Sequence, residues 1–180
     1  MTEIVFNEEY KKRHLERINR TLKFVDNVIL STDKVLDLGP VNSLSKLLIS
    51  QGFNITNTPK GIDLDLSFDI VKEDFDVVTA FEIFEHMVSP FPLLRAISAK
   101  KLVASVPLKL WFTNAYWNNN DPFDKHYHEF EPKQFDLLLN KAGWRIIKSE
   151  KWVSKTSQIG VRPLLRRFVP RYYIVYCERE

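Results

Sequence analysis

Apolar residues recur at three- and four-residue steps from Asn7 to about Leu30, through Leu15, Ile18, Leu22, Val25 and Ile29. That period predicts an amphipathic helix. Lys11, Lys12, Arg13, Arg17 and Arg20 lie on its other side and read as a solvated basic face. A short apolar strand, Val35–Leu38, follows, then a helix from about Asn42 to Ser50, capped by Asn42 or Ser43 and stopped at Gly52. A strand is expected over Asn54–Thr58, another over "GIDLDLSF" (61–68), and a fully buried one over Phe75–Phe81. Leu93, Leu94 and Ile97 mark a helix from about Pro90 to Lys100, and "KLVASVPL" (101–108) a further buried strand. "EPKQFDLLLNKAGW" (131–144) reads as a helix ending at Gly143. "WRIIKSEKWV" and "RYYIVYCERE" read as strands flanking a basic, proline-containing excursion from Ser154 to Arg171.

Strands alternating with helices predict an α/β protein with a Rossmann-like open, mostly parallel sheet. The last two strands have no helical pattern between them and suggest an antiparallel edge. Ligands in such sheets sit outside the carboxyl ends of the strands. That rule places Gly39, Phe81 and Pro107 along the functional rim.

Composition narrows the picture only modestly. At 180 residues, 44% of them hydrophobic, the chain suits one domain with an ordinary core. We expect a helical segment over 1–33 and an α/β core over 34–180. A net charge of +3 is too mild to argue for nucleic acid by itself. No apolar run approaches bilayer length, and "MTEIVFNEEYKKRH" lacks the apolar centre of a signal peptide. The single cysteine, Cys177, allows no internal disulfide and suits a reducing cytoplasm, the expected location.

Four segments, in order, carry a resemblance: "VLDLG" (35–39), "FDVVTAFEIFEHM" (75–87), "KLVASVPL" (101–108) and "HYHEFEPKQFDLLLNKAGW" (126–144). Together they resemble the class I S-adenosylmethionine-dependent methyltransferases, small-molecule enzymes especially. The resemblance implies that family's fold, S-adenosylmethionine as cofactor, and methyl transfer to oxygen or nitrogen of a small or medium polar acceptor, such as a sugar or a lipid-linked intermediate. It assigns Asp37, Gly39 and Pro40 to the cofactor loop, Glu82 to cofactor binding, and Phe81, with Ile83, to the adenine.

Two departures stand out. Where the family carries acid-x-Gly-x-Gly-x-Gly, this chain has Asp37-Leu38-Gly39-Pro40-Val41-Asn42-Ser43, and a β-branched Val41 tolerates positive φ poorly. The family's ribose-holding acid is replaced by Asn57 and Thr58, and the span to "GIDLDL" is too short for a helical crossover. Asp63 or Asp65 is expected to supply the carboxylate if the chain folds back. These departures favour a rival reading, a non-catalytic scaffold on the same architecture. "RPLLRRFVPR" (162–171) suggests a third, a nucleic-acid substrate, although Leu164, Leu165 and Phe168 read there as the packed side of a helix.

Candidate chemistry lies just past the central strand and in the aromatic, amide-rich loop Trp111–Phe130. Glu85 is expected to face the pocket, with Trp111, Tyr116, Trp117 and Tyr127 contacting the acceptor. His86, His126 and His128 are the candidate bases. Imidazoles with Glu129 are also ordinary metal ligands, but sequence spacing alone does not bring them together, and no metal is expected.

Overall fold

A computed structural model describes residues 8–121, 124–154 and 160–180, with side chains from His14 onward. The side chains of Lys11, Lys12 and Arg13 and the N-terminal heptapeptide lie outside the described residues. The elements are α1 (Glu8–Val25), β1 (Lys34–Asp37), α2 (Ser43–Ser50), β2 (Asn54–Asn57), β3 (Val77–Phe81), α3 (Pro90–Ala96), β4 (Lys101–Pro107), α4 (Pro132–Lys141), β5 (Trp144–Val153), α5 (Val161–Leu165) and β6 (Pro170–Arg179).

The strands form one six-stranded sheet of order β2-β1-β3-β4-β6-β5. The first four are mutually parallel, while β6 runs antiparallel to both β4 and β5. The closing antiparallel pair is therefore present, with β6 inside the sheet and β5 at its edge. Strand alternation divides the core into two layers. Val35, Val77 and Val103 pack with Ile18, Leu22, Val25 and Leu48 of α1 and α2. Leu36, Val78, Leu102 and Ala104 pack with Leu93, Leu94, Phe135 and Leu139 of α3 and α4. Helices on both faces leave the carboxyl ends of β1, β3 and β4 as the open rim.

Several expectations are corrected. "GIDLDLSF" is not a strand: turns occupy it, followed by a single 3-10 turn at Asp69–Lys72. As the short span after β2 implies, no α-helix joins β2 to β3; Leu64, Phe68, Ile70 and Val71 of this irregular segment cover the sheet where one would lie. Periodicity in "DLDL" is satisfied by local turn bonds, with the Asp63 carboxylate accepting from the Asp65 N–H at 2.9 Å. Helix α1 ends at Val25 rather than Leu30, and Leu15 is exposed although it fits the apolar period. Helix α5 spans only Val161–Leu165, and its region turns Val161, Leu164 and Phe168 outward rather than into the core.

Candidate active site

The turn after β1 is built by the chain's own polar groups. Asn42 caps α2, accepting from the N–H groups of Leu44 and Ser45, and Ser45 completes the capping box. Gly39 adopts φ +114°, where a Cβ would also come within 3.3 Å of Ile83 Cδ1. Its N–H donates to Thr58 Oγ1 at 2.7 Å, and its carbonyl accepts from Asn57 Nδ2 at 3.2 Å. Pro40 and Val41 are exposed and do not fill the turn.

Asp37 is buried beneath this turn. It accepts from the Thr79 hydroxyl at 2.6 Å and from Asn57 Nδ2 at 2.9 Å. Burial raises its pKa to about 6 against these two hydrogen bonds, which pull it down. Between its unfolded value, 3.8, and about 6 the folded chain therefore holds a proton that the unfolded chain has released. Stability must fall as pH rises through that window and level off above it. In denaturant titrations at pH 4 and 7, Asp37→Asn is expected to remove about 2–3 kcal/mol of this difference.

Beyond β3 the chain makes a strained turn. Among the described residues Glu82 is the non-glycine with positive φ, at 57°. Such conformations persist where surroundings enforce them, often at functional sites. Here the Glu82 N–H donates to the Ser105 carbonyl, the Ser105 hydroxyl donates to Glu82 Oε1 at 2.9 Å, and Arg17 Nη1 donates to Oε2 at 3.2 Å. Glu82 thereby stands between two cavities. The smaller, about 310 Å³, lies over the ends of β1, β3 and β4 beside Asn42, Ser43, Leu44, Phe81 and Ser105. The larger, about 570 Å³, extends toward Tyr116, Asp124, His126, Arg166 and Arg171. Arg17 and His14 of α1 line both.

In the larger cavity the loop after β4 is pinned to the turn after β3. The Glu85 carbonyl accepts from the N–H groups of Tyr127 and His128, at 2.8 and 3.3 Å. This brings His126 against His86, their rings edge-to-face with centroids 4.9 Å apart. His86 Nδ1 lies 3.1 Å from the Lys125 carbonyl, which can only accept, so Nδ1 carries the proton and Nε2 the lone pair. His126 Nδ1 lies 3.0 Å from Glu129 Oε1. Burial works against ionised Glu129, but hydrogen bonds from His126 and the Tyr116 N–H, with Arg171 nearby, hold its pKa below the usual carboxylate range. His126 therefore donates through Nδ1, which leaves the lone pair on Nε2. Burial, followed by His126, lowers the pKa of His86.

Glu85 lines the same cavity. Its side chain is 1% exposed, and neither carboxylate oxygen has a hydrogen-bond partner. Burial above all, then the charge of Glu82, pushes its pKa well above the usual range, opposed by the pull of its own backbone N–H and by Arg17 and Arg171. Donor atoms of Glu85, His86 and His126 lie within 4.8 Å of one another.

The remaining expected site residues lie elsewhere. The Asp65 carboxylate accepts from the N–H groups of Val88 and Ser89, Asp63 caps its own turn, and neither lines the smaller cavity. His128 parts from His126: its Nε2 meets the Val88 carbonyl and its ring stacks on Phe130. Trp111, Trp117 and Tyr127 are exposed and line neither cavity, Trp117 lying beneath Lys125 instead. Of the aromatic loop, Tyr116 reaches the cavity, and its hydroxyl donates to Asp124. Arg17 and Arg171 carry no site assignment in the sequence, where Glu129 is named only as a metal-ligand type. Arg17 falls within a basic helical face, and Arg171 in a basic run, with no spacing that marks either.

No protein-family model matches this chain, and no curated protein does. Solved structures do. A chain from the complex of the Haloferax volcanii methyltransferase activator Trm112 with a candidate methyltransferase superposes with a TM-score of 0.60 at 14% identity, over 97% of this chain and 99% of that one. An S-adenosylmethionine-dependent methyltransferase from Mesorhizobium loti gives 0.59 at 14% identity, over 93% and 98%. The [4+2]-cyclase SpnF gives 0.58 at 14% identity, over 90% and 81%. At such identity the likeness establishes the fold, the class I methyltransferase fold, and SpnF shows that this fold carries more than one named chemistry.

Proposed function

We propose that this chain, built on the class I methyltransferase fold, transfers a methyl group from S-adenosylmethionine to a small or medium polar acceptor. One observation carries the reading: two cavities meet at Glu82, a strained carboxylate just past the central strand. That is the division of space a cofactor and an acceptor need.

The residues of the smaller cavity fit the cofactor's sulfonium and amino-acid end. A cationic zwitterion calls for acceptors and a little apolar surface, not a row of amide donors as a pyrophosphate does. Glu82, Asn42, Ser43 and Ser105 supply the polar atoms, and Phe81 and Leu44 the apolar ones. Asn57 is the polar side chain at the ribose position, with Asp37 orienting it. When bound, S-adenosylmethionine supplies an electrophilic methyl group beside the larger cavity. The protein's own work there is to position the acceptor and manage its proton. His86 and His126 line that cavity, and each keeps a lone pair on Nε2 to receive the acceptor's proton, or a cation displacing it.

The closed corner made by Gly39, Asn57 and Thr58 is the specific observation favouring the rival scaffold reading. Thermal melts with S-adenosylhomocysteine separate the two. At ligand about 100 times its Kd the folded state gains ~2.7 kcal/mol, a rise of roughly 5–10 °C for a chain this size. No rise at millimolar ligand sinks the enzyme reading.

A further inference from the structure

We infer that Glu85, His86 and His126 form a binding site for a divalent first-row cation, through one carboxylate oxygen and the two Nε2 atoms. Their donor atoms already converge within 4.8 Å. Buried polar atoms are nearly always hydrogen-bonded, yet both oxygens of Glu85 lack a donor.

The neighbours do not supply one. Arg17 reaches Glu82, and Arg171 donates to the Leu108 carbonyl at 2.7 Å. His86 Nε2 stands 3.7 Å from Glu85 Oε1, too far for a hydrogen bond. It also lacks the proton, because the Lys125 carbonyl requires it on Nδ1. A carboxylate lone pair thus faces an imidazole lone pair across that gap, and a cation between them turns the opposition into ligation.

The outer contacts suit the same purpose. Metal-bound histidines characteristically donate their other N–H to a carbonyl or carboxylate, which fixes the tautomer and aims the ligand nitrogen. His86 does so to Lys125 and His126 to Glu129. Had the histidines served only to satisfy Glu85, their N–H groups would face it.

Two imidazoles and a carboxylate suit zinc, cobalt, iron or manganese better than magnesium or calcium, and three protein ligands leave positions open. Those positions face the 570 Å³ cavity. On the methyl-transfer reading, on which this role alone rests, they receive an oxygen of the acceptor. The cation lowers the pKa of that hydroxyl, whose proton passes to water. The acceptor is accordingly an alcohol rather than an amine.

The test uses the full chain after dialysis against a chelator, titrated calorimetrically with Mn²⁺, Co²⁺ and Zn²⁺ without nucleoside, with cobalt absorption as a spectroscopic check. We expect saturable 1:1 binding. Glu85→Gln and His126→Ala should each weaken it at least ~100-fold, and Glu129→Gln, acting through His126, about 10–100-fold. His128→Ala, on the far side of the loop, should bind as the parent does. If His126→Ala fails to fold, by circular dichroism, Glu85→Gln and Glu129→Gln decide. Absence of saturable binding, or unchanged affinity in Glu85→Gln, overturns the site. Cation binding without S-adenosylhomocysteine binding upholds the site and overturns the methyl-transfer reading; nucleoside binding without cation binding overturns the site alone.

Discussion

Glu85→Gln is expected to raise the stability of the metal-free protein by up to about 4 kcal/mol at pH 7.5, while removing its capacity for cations. The bound follows from the alternatives open to Glu85. It is buried without a hydrogen-bond donor, so at neutral pH it either stays charged at high cost or takes a proton. Protonating a carboxyl of ordinary pKa 4.5 at pH 7.5 costs about 3 × 1.36 kcal/mol, and glutamine avoids that cost. Because the folded-state pKa is raised, the parent protein loses stability as pH rises above 4.5. The gap between parent and variant should therefore widen with pH and close near pH 4.5. Glu82, Arg17, Arg171 and His86 also face this carboxylate and are the same in both proteins, so the difference between the two isolates Glu85. In melting experiments the gain corresponds to a rise of at most roughly 8–16 °C. Unchanged melting would mean that Glu85 has a partner the geometry does not reveal.

A variant that gains stability where it loses ligand identifies a group retained for function. It also shows which parts of this protein were legible in its sequence. β1, β3 and β4 announced themselves because strands buried on both faces read as continuous apolar runs, as in Val77–Val78 and Leu102–Val106. α2 and α4 were marked by Asn42 and by Gly143. "GIDLDLSF" misled because two-residue alternation is equally satisfied by aspartates closing turns, as Asp63 does. Leu164 and Phe168 misled because an apolar period does not say whether a partner surface exists.

The site divides in the same way. Glu82, Glu85 and His86 follow a buried strand directly, so chain order alone put them at the rim. Arg17, Arg171 and Glu129 arrive from α1, β6 and the aromatic loop, and only tertiary packing joins them. His126 and His128 were both candidate bases. The segment is not a strand, so the two diverge, toward Glu129 and toward Val88.

Glu82 should separate cofactor binding from folding most clearly. Its φ of 57° is a conformation that disfavours a side chain by roughly 1–2 kcal/mol, so Glu82→Gly relieves strain at the same step that removes the carboxylate. The Ser105 hydroxyl and Arg17 lose an acceptor, but both line cavities and can turn to water. We expect the glycine variant to melt no lower than the parent. S-adenosylmethionine binding should nonetheless weaken about 10–100-fold, the usual value of a hydrogen bond to a charged group. Glu82→Gln keeps the shape and drops the charge, and should lose affinity for the cationic sulfonium more than for S-adenosylhomocysteine, whose sulfur is neutral. Calorimetry with both ligands measures that difference. If the glutamine variant binds the two in the parent's ratio, the carboxylate is there only to hold Ser105 and Arg17 in place, and the strained turn belongs to the fold rather than to the chemistry.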